Sequence, residues 1–340
     1  MQDVTPDLFV DAIIGYHKTA AMIAALDLGL FTAIAEGADT ATALAAKVGV
    51  AERGARILAD YLAIQGFLTK GDGVYALTPS SATFLDKRSP AYLGSAPDFL
   101  ASPEFRALVF TDPAAVVRAG GSLGLGNIGP DDPIWIKFAS AMAPLVAPTA
   151  RAVATLVAQW PKPPGKVLDI AAGHGIFGIS IALAVPGAQV TALDWAGVLE
   201  VARANAVKFG VADRFHEIAG SAFEMDFGQG YDLILLPNFL HHFDPDANVA
   251  LLAKVRHALA PDGRAFAVDF VPNPDRLSPP RPAMFALTML FSTPHGDAYP
   301  AAELDEMGRR AGFRGIVATP LPPSPYTLVE FLVSRATPAP

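Results

Sequence analysis

From about Lys166 the chain alternates short apolar runs with longer amphipathic stretches. "KVLDI", "QVTALDW", "FHEIAG", "YDLILLPNF" and "RAFAVDF" read as strands, the last entered through a turn at "APDG". "IFGISIALAV", "AGVLEVARANAVKFG", "NVALLAKVRHAL" and "AAELDEMGRRAGF" place apolar residues at helical spacing. Alternating strand and helix predicts a parallel, doubly wound α/β sheet. The last two strands, "GIVATP" and "YTLVEFLVS", have only "LPPSP" between them. That link is too short for a parallel crossover and predicts an antiparallel hairpin.

The first third has a different rhythm. Leu8, Phe9, Ala12, Ile13 and Tyr16 recur at helical spacing, as do Met22, Ile23, Leu26 and Leu30. Thr40 or Asp39 can cap a helix through Leu44 and Val48, and after a turn at Gly49 a second helix turns Ile57, Leu58, Tyr61, Leu62 and Ile64 inward. "GFLTKGDGVYALT" reads as a β-hairpin turning at Gly71-Asp72-Gly73. Helix, helix and hairpin predict a winged-helix layout. Residues 80–160 read as further helices around the loop "AGGSLGLGNIGPDD", and "WPKPPG" marks the entrance to the sheet. The expected organisation is therefore an N-terminal helical domain over 1–100, a helical linker over 101–160 and a sheet domain over 161–340.

Composition narrows the function classes. At 340 residues and 52% hydrophobic, the chain can bury the cores of two domains. A net charge of −8 argues against a nucleic-acid surface and against anionic membranes. With no cysteine there are no disulfides and no thiolate metal sites, and no metal is expected. The N-terminus lacks the basic and apolar regions of a signal peptide. No uninterrupted apolar run reaches the roughly 18 residues of a membrane span. A soluble cytoplasmic protein is the expectation.

The chemistry begins at "GHGIFG", where Gly173, Gly175 and Gly178 spell a dinucleotide fingerprint. Glycine lets backbone approach any ligand, so the turn alone decides little. Asp194, ending the next strand, suits the ribose hydroxyls of either NAD or S-adenosylmethionine. Asp169, in the strand before the turn, separates the two. A carboxylate there repels a pyrophosphate and attracts the ammonium of a methionine.

Together "GVYALT", "VLDIAAGHG", "TALDW", "AGSAF", "LPNFLHHFDPD", "LAPDGRAFAVDF" and "ELDEMGRRAGF" carry a resemblance. The sheet domain resembles a class I S-adenosylmethionine-dependent methyltransferase. From about Phe9 to Val333 the chain is similar to the small-molecule O-methyltransferases that include caffeate and acetylserotonin O-methyltransferases, particularly bacterial members. The resemblance implies a Rossmann-like seven-stranded sheet with an antiparallel C-terminal hairpin. It also implies an N-terminal winged-helix domain that makes a homodimer and helps close the partner's active site. Asp169, Ala171, Gly173 and Gly175 match the family's glycine loop, and Asp194 its ribose-binding acid. Trp195 would cover the adenine. Ser221 and Ala222 match a stretch that usually begins Gly-Asp; with Ser221 in the acid's place, the adenine contact weakens or passes to Phe223. Asn238 falls near the sulfonium.

His241 matches the family's catalytic base, a role chemically apt for a neutral imidazole at the carboxyl edge of an open sheet. The base is normally followed by Asp-Trp; here His242-Phe243 follow, so His242 can compete for the role. Of the two acids flanking the family's base, Asp269 matches the first, and Asp297 is the nearest counterpart of the second. His295 is expected to be a bystander. Trp135, Phe138 and Met142 on one helix, and Met284, Phe285, Met289 and Phe291 on another, are candidate walls for an apolar or aromatic acceptor, with His242 beside them. The leading expectation is O-methylation of a hydroxylated apolar small molecule. Its rivals are nitrogen or carbon methylation, a non-methylating reaction on the same fold, and a winged-helix regulator with a degenerate enzyme domain. The last has only Arg53 and Arg56 as basic residues in "VAERGARIL".

Overall fold

The structure, a computed structural model, describes residues 4–123 and 133–333. The chain divides into two compact units that meet at Ala101 and Ser102.

In the first unit, helices α1 (Asp7–Ile14), α2 (Tyr16–Asp27) and α3 (Leu30–Ala35) precede α4 (Ala41–Val48) and α5 (Glu52–Ile64). Thr40 caps α4 by accepting from the Ala43 N–H, and Gly49 ends it in the left-handed conformation. Strands β1 (Leu68–Gly71) and β2 (Val74–Leu77) pair antiparallel with Gly71 opposite Val74. Asp72 and Gly73 between them have φ of 49° and 79°, as a two-residue hairpin turn requires. Two short helices follow, α6 (Pro79–Phe84) and α7 (Pro97–Leu100). Leu30, Phe31, Leu44, Leu62 and Tyr75 form the core of the unit. No residue of α1 is buried, and Leu8, Phe9 and Ile13 are exposed on it.

The second unit opens with α8 (Pro103–Phe110), α9 (Pro113–Ala119) and α10 (Pro133–Ala158). Strands β3 (Lys166–Ile170), β4 (Gln189–Asp194), β5 (Phe215–Ala219) and β6 (Tyr231–Pro237) alternate with α11 (Ile176–Ala184), α12 (Ala196–Lys208) and α13 (Pro245–Ala258). Then come β7 (Leu259–Asp269), α14 (Pro280–Ser292), α15 (Ala301–Arg310), β8 (Gly315–Pro320) and β9 (Thr327–Leu332). The seven strands are ordered β5-β4-β3-β6-β7-β9-β8. All pairs from β5 to β7 are parallel, and β9 runs antiparallel to both β7 and β8. The short "LPPSP" link thus does what its length requires. One apolar layer joins α10 and α11 to the sheet, and α13 and α15 lie in the other.

Three local features differ from the sequence reading. Residues 102–160 are not a separate linker, since α10 packs on α11 and α12 and belongs to the sheet unit. By length and composition α10 could cross a membrane, although Lys137 and Arg151 lie in it; its inner face, including Ile134, Ala139, Val146 and Val153, is buried in this unit. "APDG" is not a turn ahead of a strand but part of β7. Tyr231 opposes Leu259 and Leu233 opposes Arg264, so the extra residues bulge out. Gly263 makes the bulge possible, because a Cβ there would lie 2.4 Å from the Tyr231 carbonyl oxygen. Finally, α13 begins ahead of "NVALL" because the Asp244 carboxylate accepts from the Ala247 N–H and caps it.

Candidate active site

The sheet order reverses at β3, and the crevice outside the strands' carboxyl ends is where open α/β sheets place ligands. After β3 the chain turns through Ala171 (φ 53°), Gly173 (57°) and Gly175 (72°) into α11. Ala171 holds a conformation that costs a residue with a Cβ, which marks the loop as imposed by its surroundings. Asp194 ties the loop down. Its Oδ2 accepts from the Gly173 N–H at 2.8 Å and its Oδ1 from the Trp195 N–H at 2.7 Å. Burial raises its pKa, and these two N–H groups oppose the rise.

Asp169 lies fully buried beneath the loop. Its Oδ2 accepts from the Gly178 N–H at 2.8 Å, while its Oδ1 is buried without a partner. Burial pushes this carboxyl up to about 7, with the Gly178 N–H acting against the shift and the Asp194 charge adding to it. The third glycine of the fingerprint therefore faces a carboxylate. A Cβ on Gly178 would stand 2.6 Å from Val190 Cγ1 and 2.9 Å from Asp169 Oδ2. Gly178→Ala is accordingly expected to lower Tm by about 3–10 °C, the effect of overpacking by about 1–3 kcal/mol in a unit of this size. A calorimetric melt matching the wild type would contradict that close approach. His174, a residue that composition and spacing gave no reason to choose, is also buried in this loop. Burial depresses its pKa to about 4, and its Nδ1 accepts from the Ile176 N–H at 3.1 Å.

Past β5, Ser221 Oγ accepts from the Phe223 N–H, so Ser221 shapes its own turn. Ala222 is buried, and the Phe223 ring packs edge-on to Phe243 at 4.8 Å. Lys254 Nζ donates to the carbonyls of Ala222, Phe223 and Met225, which fixes this turn. Trp195 is half-buried at the start of α12. Past β6, Asn238 has φ 53°, its N–H bonds to the Val268 carbonyl, and its Oδ1 is buried without a partner.

His241 follows in a short 3-10 turn, Leu240–His242. It is 4% exposed, and its Nδ1 lies 2.6 Å from Oδ1 of Asp269, the last residue of β7. Asp269 Oδ1 also accepts from the Phe270 N–H at 2.8 Å. A carboxylate facing Nδ1 holds the ring proton there and leaves Nε2 as a proton acceptor. Phe285 meets the His241 ring edge-on at 4.8 Å and stacks on Phe270 at 4.0 Å. Tyr326 packs on Phe270 at 4.5 Å. The His242 ring is 4.4 Å from that of His241, and burial, together with the neighbouring imidazole, pushes its pKa well below the usual value. Both influences favour the neutral ring.

Asp297 does not bring its carboxylate to the imidazole. Its Oδ2 pairs with Arg276 at 2.9 Å and its Oδ1 accepts from the Ala298 N–H, while its own N–H bonds to the His241 carbonyl at 3.0 Å. The guanidinium takes the charge that the resemblance would have aimed at the ring, so Asp269 is the carboxylate on His241. The expected pocket walls also divide. Met289 is buried, whereas Met284 is 65% exposed and turns away from the helix's inner face. Trp135, Phe138, Met142 and Phe291 are half-buried, and Phe138 lies beside the glycine loop, 4.0 Å from where a Gly173 Cβ would be. His295 is exposed.

The family model of the O-methyltransferase domain matches residues 123–314, and that of the O-methyltransferase dimerisation domain matches residues 10–87. The chain is a member of the O-methyltransferase family. Acetylserotonin O-methyltransferase of Mus musculus molossinus is 30% identical over 89% of this chain and 82% of its own length. A solved structure assigned to the O-methyltransferases, from Nostoc punctiforme, is 46% identical with a TM-score of 0.92, over 97% of this chain and 99% of that one. PigF, an S-adenosyl-L-methionine-dependent methyl transferase of Serratia, is 26% identical over 89% of both chains. Its structure with SAH superposes with a TM-score of 0.83, covering 97% of this chain and all of that one at 25% identity. None of these similarities favours nitrogen or carbon methylation, a non-methylating reaction or a regulator.

Proposed function

We propose that this O-methyltransferase carries a methyl group from S-adenosylmethionine to the hydroxyl of a largely apolar, aromatic small molecule, with His241 as general base. The observation that carries the reading is the buried His241–Asp269 pair, which leaves one imidazole nitrogen ready to accept a proton. As the hydroxyl oxygen attacks the methyl carbon, its proton passes to Nε2, and Asp269 steadies the imidazolium that forms. Base help of this kind is worth roughly 10²–10⁴-fold, and holding the reactants in line can contribute about 7–11 kcal/mol more. Phe285 and Phe270 offer flat apolar surface next to the base. The mouse relative acts on acetylserotonin, a phenol, which supports an aromatic hydroxyl as acceptor.

The chain's residues fit the donor. Asp169 Oδ1 and Asn238 Oδ1 are buried acceptors without partners at the ends of β3 and β6, suited to a cationic, hydrogen-bonding ligand. Asp169, Asp194 and Asn238 would hold it. When bound, the donor supplies an electrophilic methyl group on a sulfonium. A pH dependence follows from Asp169. With its pKa near 7, the carboxyl of the unliganded site is largely protonated at pH 6, and an ammonium ligand favours the ionised form. Binding of S-adenosylhomocysteine is expected to release close to one proton at pH 6 and much less at pH 8, its affinity rising between them. Titration calorimetry in buffers of different ionisation enthalpy would detect this; equal heats at pH 6 would refute it.

The first unit is read as a winged-helix dimerisation domain that makes a homodimer, since the unburied apolar α1 needs a partner surface. The enzyme is read as soluble and cytoplasmic, with no nucleic-acid or membrane partner, in keeping with its net charge and the packed α10. The deciding experiment is mass spectrometry of enzyme, methyl-labelled donor and a panel of phenols, catechols and amines. Label on hydroxyl oxygen is expected; label only on amines would overturn the reading.

A further inference from the structure

The turn that carries the base is held by its carbonyls, from outside the ring chemistry. Asn248 Nδ2 donates to the Leu240 carbonyl at 2.9 Å and to that of Phe243 at 3.3 Å. Tyr299 donates its hydroxyl to the Phe243 carbonyl. The His241 carbonyl accepts from the Asp297 N–H, delivered by the segment Thr293–Asp297. That segment lies very close. A Cβ on Gly296 would stand 2.2 Å from the His241 oxygen and 3.0 Å from the His242 carbonyl carbon. The Gly296 N–H is itself held by Thr293 Oγ1 at 2.8 Å.

Asn248 is anchored on α13, whereas Tyr299 belongs to the same irregular stretch as Asp297, and that stretch has a remote anchor. Arg276 reaches across from the loop that follows β7. Its Nη1 bonds to Asp297 Oδ2 at 2.9 Å and its Nη2 to Glu303 Oε1 at 2.6 Å. Arg276 sits at φ 55°, in a loop that Asp275 fastens by accepting from the N–H groups of Leu277 and Ser278. The same chain segment, a few residues earlier, supplies Asp269 to the imidazole.

We propose that Arg276 is a positioning residue for the base: by gripping Asp297 and Glu303 it keeps the Thr293–Asp297 segment against the His241 backbone. The segment after β7 then fixes His241 twice, through Asp269 on the ring and through Arg276 and Asp297 on the backbone. In this chain the acid at position 297 serves the base through its main-chain N–H, and its carboxylate serves the arginine. Fork-shaped pairing suits arginine, because one guanidinium can hold two carboxylates in fixed directions. The inference rests on His241 being the base.

Arg276→Ala and Arg276→Lys test it, with Gly296→Ala as a second route to the same contact. Hydrogen exchange of the Asp297 amide is followed by mass spectrometry, and methyl transfer to a phenol is measured alongside it. For Arg276→Ala, amide exchange at Asp297 is expected to accelerate about tenfold or more, since the segment opens locally. Turnover should fall by about tenfold, within the roughly hundredfold cost that a displacement of about 1 Å can carry. Acceptor KM and S-adenosylhomocysteine affinity should stay within about twofold, because the donor residues lie on other strands. Arg276→Lys should recover part of the turnover, and Gly296→Ala should lower turnover with donor affinity kept. Unchanged amide exchange and unchanged turnover in Arg276→Ala, with an active wild type, would overturn the proposal. An equal loss of donor affinity and turnover would do the same, since it would mean general loosening. If the amide loosens as expected but the wild type methylates no phenol, the clamp stands and the reading of the reaction falls.

Discussion

Replacing His241 by alanine is expected to lower turnover on a phenol of high pKa by about 10²–10⁴-fold, with little change in S-adenosylhomocysteine affinity. The imidazole is tied to Asp269 at 2.6 Å, so its orientation and tautomer are set before any ligand arrives. His242 cannot readily substitute. Among the described residues no carboxylate bonds to its ring, and burial disfavours the charged form that a base must reach. The loss should depend on the acceptor. A phenol with pKa near 7 is about half ionised at neutral pH and needs little proton removal, so the variant should partly recover on it. A wild-type rate for His241→Ala on an acceptor of high pKa would show that proton removal is not its task.

Asp194→Ala is expected to weaken S-adenosylhomocysteine binding by about tenfold to a hundredfold, the range set by losing hydrogen bonds to a charged group at about 1.5–3 kcal/mol. Two effects combine. In the proposed site the ribose loses its acceptor, and the loop loses the carboxylate that joins Gly173 to Trp195. Asp194→Asn should be milder, because an amide oxygen can still accept one of these N–H groups. Calorimetry that found Asp194→Ala unchanged, or that found tighter binding of NAD, would remove the methyl-donor reading of the site.

What could be read from the chain depended on whether the cause was local. The β8–β9 hairpin was legible because a short link leaves no other geometry. The Asp72-Gly73 turn was legible because the turn's own residues supply the positive φ. Asp169 and the glycine loop stood out by spacing, although the spacing did not reveal that Gly178 faces the carboxylate. The β7 bulge is hidden because "APDG" has the composition of a turn, and what carries it in the strand is the pairing of Leu259 and Arg264, on either side of it, with β6. Phe270 and Tyr326 gave no signal, since each is ordinary in its own segment and they meet only through the pairing of β7 with β9. The acid at 297 was found as a residue and missed as a role: its carboxylate is set by Arg276, which no periodicity connects to it.

The place of β9 in the sheet has a consequence for how the enzyme is made. β9 is made after both of its neighbours, yet it lies inside the sheet, between β7 and β8. Until Thr327–Leu332 has emerged, β7 keeps one hydrogen-bonding edge open and β8 has no neighbour at all. The nascent chain therefore carries an unpaired strand edge until β9 has been made, and unpaired edges of that kind invite association with other chains. A product ending shortly before Thr327 would hold every polar residue assigned here to donor and base, yet would lack the strand that closes the sheet beside Asp269.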